Sequence, residues 1–133
     1  MLQAIKNLLA AARKQAERPA LEFGDVTAQQ DGFTVGSQGK ANWSVRWTDI
    51  KEIVGFKRDI YAFDQICLGF RVSDTDDYYI VTEEMSGFGW LAGEMERQFQ
   101  TMDRNWWTKV AQPPFATNWV TIYGEPWINR SPK

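Results

Sequence analysis

The sequence predicts an α+β fold made as one domain over residues 1–133: a bent antiparallel sheet, or small open barrel, of about six to seven strands, with an N-terminal helix and a second helix packing on the sheet. Three observations carry this expectation. Apolar residues recur at helical spacing in two stretches, one at the start of the chain and one in its second half. The long stretch between them alternates with period two instead. Its β-prone runs are divided by polar turns too short to hold crossover helices, so the strands follow one another as a meander and not as βαβ units.

Taken in order, the helix over 1–18 places Leu2, Ile5, Leu8, Leu9, Ala12 and Ala16 on one face, and Pro19 ends it. Residues 21–123 hold the sheet and the second helix, and 124–133 form a tail. Within "ALEFGDVTAQQDGFTVGSQGKANWSVRW" glycine and Asp-Gly signals separate short β-prone pieces, and Trp43, Val45 and Trp47 share one strand face. "DIKEIVGFK" is the next strand. In "DQICLGFRV" Ile66, Leu68, Phe70 and Val72 alternate with Cys67, Gly69 and Arg71. "SDTDD" is a polar turn, "YYIVT" a strand, and the residues near 87–101 return to helical spacing through Phe88, Leu91, Ala92, Met95, Phe99 and Met102. "RNWWTKVAQPPFATN" reads as a connection without periodicity, and "WVTIY" as the last strand.

Composition excludes several functions. The chain has no histidine, which removes the common neutral-pH base, the Ser-His and Cys-His nucleophile pairs and ordinary zinc sites. Cys67 is the one cysteine, so neither an internal disulfide nor a thiolate cluster can form; this suits a reducing, cytoplasmic setting. No motif calls for a cofactor. "GDVTAQQDG" and "GFGWLAG" lack the Gly-Lys-Ser/Thr of a phosphate loop. A net charge of −2 opposes nucleic-acid binding. No apolar run approaches the ~18 residues of a membrane span. The first twenty residues carry Lys6, Arg13, Lys14 and Arg18 against Glu17, but no Trp or Phe precedes Phe23. The helix is therefore expected to belong to the fold and not to a membrane surface.

The segments "WTDIKEIVGFKRDIYAFDQICLGF", "VTEEMSGFGWL" and "PPFATNWVTIY" resemble a family of small bacterial proteins that share these motifs; the match covers Trp47 to Tyr123. Proteins of this size and look include immunity proteins, which bind and block a toxin. The family itself carries no firm activity; analogy with immunity proteins gives the expectation of a bacterial, protein-binding role and assigns no residue a part in it. Element order alone also resembles the pleckstrin-homology-like arrangement, in which a helix plugs a strand meander.

Candidate residues fall in three places. If the strands around "FKRDIYAFDQI" pair as a hairpin, Asp59 and Asp64 face each other with Lys57 and Arg58 nearby, and Tyr61 sits at the tip. That pattern fits a partner-binding tip, a cation site, or a solvated hairpin end with salt bridges. Glu83 and Glu84 stand where a strand gives way to the helix; they complement its positive end or dock a basic partner, and Thr82 or Ser86 is the expected N-cap. Trp106 and Trp107 are adjacent, so one of them is expected to be exposed as an interface anchor. The seven Trp need a core, a groove or an interface to cover them, and core packing is the expectation for Trp43 and Trp47. The leading function is thus a protein-binding domain acting through an acidic and aromatic surface. The alternative is a small histidine-free enzyme or carrier with a carboxylate-lined cavity in the curved sheet. A homo-oligomer is left open.

Overall fold

The computed structural model describes residues 24–37, 40–60, 63–113 and 117–127, with only the backbone described at 40, 41, 59, 60 and 63. The helix expected over 1–18 lies outside the described residues. Three strands, β1 (Asp25–Ala28), β2 (Gly32–Ser37) and β3 (Lys40–Arg46), pair antiparallel in the order β1-β2-β3. Four more, β4 (Glu52–Ile60), β5 (Phe63–Arg71), β6 (Tyr79–Thr82) and β7 (Val120–Gly124), form a second antiparallel sheet in the order β6-β5-β4-β7. Helices α1 (Phe88–Gln98) and α2 (Trp106–Ala111) lie between β6 and β7 in the chain.

The class is α+β, as expected, but the sheet is two sheets and not one bent sheet. The break falls at one corner. Trp47 does not continue the strand that carries Trp43 and Val45; residues Trp47–Asp49 form a single 3₁₀ turn. The Trp47 ring is buried and its Nε1 donates to the carbonyl of Gln29 at 3.2 Å, which fixes the corner. The chain leaves that corner without pairing β4 to β3, and β4 joins β5 and, late in the chain, β7.

Aromatic rings join the two sheets. Phe33 of β2 packs on Phe70 of β5 at 4.8 Å between centroids, on Trp47 at 5.4 Å and on Trp43 at 5.9 Å. Trp43 in turn meets Tyr79 of β6 at 4.9 Å. The expected apolar stripe of α1 closes this core: Phe88, Leu91 and Met95 are buried, and Phe99 and Met102 extend the stripe past the helix end. The N-cap is Gly87, not Thr82 or Ser86. Thr82 is still in β6, and the Ser86 carbonyl accepts from Val26 N at 2.7 Å, tying the helix entrance to β1. Gly87 has φ +88°, and a Cβ there would stand 2.1 Å from the Val26 carbonyl oxygen, so only glycine fits so close to the strand.

The segment read as an aperiodic connection contains α2. Six residues are less than two turns, too few to display a period. Tertiary packing holds the helix instead: Val110 is fully buried, and a Cβ at Gly55 would lie 2.8 Å from its Cγ2. The tail is tied at its start, because the Glu125 carbonyl accepts from Arg71 and the Trp127 ring lies 5.4 Å from the Arg71 guanidinium carbon.

Phe99 touches Trp47 at 6.1 Å and Tyr123 at 4.4 Å, linking the corner, the helix and the last strand. Phe99→Ala is expected to cost about 3–5 kcal/mol. Urea unfolding checks it; a loss under about 1 kcal/mol would place the ring outside the working core.

Candidate functional site

The β4–β5 hairpin organises the candidate residues. Its register sets Asp59 opposite Asp64, as expected, and Ile60 opposite Phe63. Tyr61 lies outside the described residues, and of Asp59 only the backbone is described. Alternation along the hairpin sends Lys57 and Asp64 to one face and Arg58 and Gln65 to the other.

On the first face the Lys57 ammonium is almost fully buried and lies 3.4 Å from Asp64 Oδ2. It also donates to the carbonyl oxygens of Ala111 at 2.8 Å and Pro113 at 2.5 Å. A buried ammonium needs both a counter-charge and acceptors for its protons, and here it has them. Lys57 therefore staples the hairpin to the end of α2.

On the second face the Arg58 Nε donates to Gln65 Oε1, and Gln65 Nε2 donates to Glu84 Oε1. Desolvation pushes the Glu84 carboxyl above its ordinary range, partly offset by the Gln65 hydrogen bond. Glu83 acts differently from its neighbour: its Oε1 accepts from the backbone N–H of Ile66 at 3.0 Å, extending the ladder past the end of β6. Cys67 is fully buried on this face with Val54 and Phe56, beneath Tyr78, Ile80 and Trp119. Burial pushes its thiol to about 12, against the opposing pull of Arg58.

The structure thus draws Glu83 and Glu84 to the start of β5, sets Asp64 on the other face, and does not unite these acids in one cavity. Of the two adjacent Trp, one of which is expected to be exposed, Trp106 is only 3% exposed and belongs to the core. Trp107 is 45% exposed, with its ring 5.5 Å edge-on from Trp106. Among the described residues no group of three or more His, Cys, Asp or Glu could hold a metal ion. No helix among them is long and apolar enough to cross a membrane.

Two features escaped the sequence reading. A buried pair links Glu52 and Arg71: Arg71 Nε donates to Glu52 Oε1 at 2.9 Å, and Tyr78 Oη donates to the same oxygen at 2.7 Å. Arg71 also donates to the Ser73 and Glu125 carbonyls. The second feature is a surface groove of about 280 Å³ between the β5–β6 turn and β6, lined by Val72, Ser73, Asp77, Tyr78 and Tyr79. Tyr79 is 38% exposed, and Trp90 on α1 is 57% exposed. The position of Trp90 was readable in the sequence, because helical spacing sets it opposite Phe88, Leu91 and Met95. The groove had a weaker signal, the acidic run "SDTDD" directly before two tyrosines.

No family model matches the chain, and searches of curated proteins and of solved structures return no match either.

Breaking the buried pair on one side is expected to cost far more than replacing both sides. Arg71→Met should destabilise by about 3–5 kcal/mol, and adding Glu52→Leu should recover a large part of that loss. Urea unfolding of the single and double variants reads this directly; equal stabilities for all three proteins would show that the pair carries no such weight. Cys67 should resist thiol reagents in the native state. With the thiol at about 12, the thiolate fraction at pH 8 is on the order of 10⁻⁴ before burial is considered. Labelling by an aromatic disulfide at pH 8 should therefore track global unfolding across a urea series, and rapid labelling without urea would contradict the burial.

Proposed function

We propose that the protein is a non-enzymatic protein-binding domain, and in its most specific form a bacterial, cytoplasmic immunity protein that blocks a toxin by covering a basic surface. The observation that carries this reading is the contrast between its carboxylates and its rings. Carboxylates that would be needed in a catalytic or carrier cavity are engaged in structural contacts: Glu52 with Arg71 and Tyr78, Glu83 with a backbone N–H, Glu84 with Gln65, and Asp64 with Lys57. Large rings stand out of the surface instead, at Tyr79, Trp90 and Trp107.

Magnitude supports the same side. A Trp buries roughly 150–250 Å² when covered, so covering the exposed half of one ring removes on the order of 100 Å² from water. At about 25 cal/mol per Å² that is roughly 2–3 kcal/mol, the scale of an interface hot spot. Trp107 meets Trp106 edge-on, and Tyr79 meets Trp43 at 4.9 Å, so two of the rings have aromatic neighbours that hold them in place before binding. The acidic turn beside Tyr79 would favour encounter with a basic partner.

The test uses a photo-crosslinking amino acid at position 107 of the full-length protein, expressed in its own cells. A single basic partner, captured in stoichiometric amount, is expected. Trp107→Ala should weaken binding of the purified partner by about tenfold or more while the unfolding curve stays in place. If the partner is a toxin, co-expression of the wild-type protein should restore growth and the variant should do so less well. Diffuse crosslinks to many proteins, or turnover of a substrate by the purified chain, would defeat the reading.

A further inference from the structure

The groove between the β5–β6 turn and β6 has the size and the chemistry of a receptor for one basic side chain, and we infer that it seats an arginine of a protein partner. This rests on the protein-binding reading and names the chemistry of one contact within it. Small-molecule pockets span roughly 300–1,000 Å³. At about 280 Å³ this groove lies at the small end of that range and has room for one long side chain.

Its walls differ in character. Val72 and the Tyr79 ring supply apolar surface for an alkyl stem, and Asp77 supplies a carboxylate for the head. Of the turn's acids, Asp74 is already neutralised by Lys51 at 3.0 Å and lies 3.8 Å from Arg71. Asp76 and Asp77 make no ion pair among the described residues. Asp77 Oδ2 accepts from Thr75 Oγ1 at 3.1 Å, which orients the carboxylate at the groove's edge. The Ser73 hydroxyl, 2.9 Å from Thr75 Oγ1, continues that bracing.

Tyr79 selects arginine over lysine. Its ring is backed by Trp43 at 4.9 Å with 32° between planes, so one face is packed while the ring keeps 38% exposure. A planar guanidinium can stack on the open side of such a ring and still bond a carboxylate in its plane, whereas an ammonium makes only a point contact.

Titration of the purified protein with the peptide acetyl-Gly-Arg-Gly-amide, followed by backbone amide NMR, tests the assignment. Saturable shifts confined to residues 72–79 and the Trp43 side chain are expected, with Kd on the millimolar scale. Replacing the arginine by neutral citrulline should remove them. Asp77→Asn should weaken binding by about tenfold and Tyr79→Ala by about threefold, while Asp76→Asn, outside the groove lining, should change it less than twofold. Shifts spread over all acidic regions, or equal loss in the Asp76 and Asp77 variants, would overturn the groove in favour of diffuse charge attraction. The two readings fail separately. Unchanged partner affinity in Asp77→Asn would sink the groove and leave the binding domain standing. Groove-specific peptide binding with no partner crosslinked at position 107 would keep the groove and sink the Trp107 anchor.

Discussion

Both faces of the β4–β5 hairpin are buried, and much of the molecule follows from that constraint. On one face Ile53, Ile66, Leu68 and Phe70 meet the other sheet and the helices. On the other, Val54, Phe56 and Cys67 form a second cluster. A strand covered on both sides loses its solvent face, so the polar residues that alternate with the apolar ones are buried too. Glu52, Lys57, Arg58, Gln65 and Arg71 all fall in that position, none more than 7% exposed. An unpaired charge there would cost several kcal/mol. Each is accordingly matched: Lys57 with Asp64 and two carbonyls, Arg58 with Gln65, Glu52 with Arg71. These pairings also set the positions of distant segments, since Lys57 reaches the end of α2 and Arg71 reaches Glu125 beyond β7.

What could be read from the sequence follows the same physics. Period-two alternation gave the central strands and the Asp59–Asp64 register, because a short connection between two alternating strands leaves little freedom in pairing. Helical spacing gave the buried stripe of α1 and sets Trp90 outward. The two-sheet split was not legible. It depends on the Trp47 ring finding the Gln29 carbonyl, a contact 18 residues apart that no local pattern encodes. Helix α2 was missed for the same kind of reason, since its stability comes from Val110 against Gly55 and not from its own six residues. The Glu52–Arg71 pair looked like two ordinary charges on an alternating strand, and only the cover over the second face makes them a buried pair.

The candidate site shows where sequence and structure part most sharply. Acidic residues near a hairpin tip or a helix entrance attract functional readings, yet the tertiary structure gives Glu83 and Asp64 structural work. Glu83 stands in for a missing strand partner of Ile66, and Asp64 answers the charge of Lys57. In the "SDTDD" turn, first read as a polar turn between strands, Asp74 is paired with Lys51 while Asp77 lines the groove. The turn's meaning comes from Tyr79, which the seam between the two sheets holds against Trp43.

That seam explains why the groove forms where it does. The β3 and β6 edges approach each other through Trp43 and Tyr79. A sheet edge left open invites pairing with other chains, and bulky side chains with flanking charge are one way of blunting it. Trp43 and Tyr79 lie on two such edge strands, β3 and β6, and the acidic turn runs directly into β6. The same arrangement places an oriented carboxylate beside a fixed aromatic face, which is what recognition of a guanidinium requires. Edge protection explains the rings and the acids individually. It does not require that Asp77 be braced by Thr75 while Asp74 is paired away with Lys51, and that asymmetry gives the groove its single charged end.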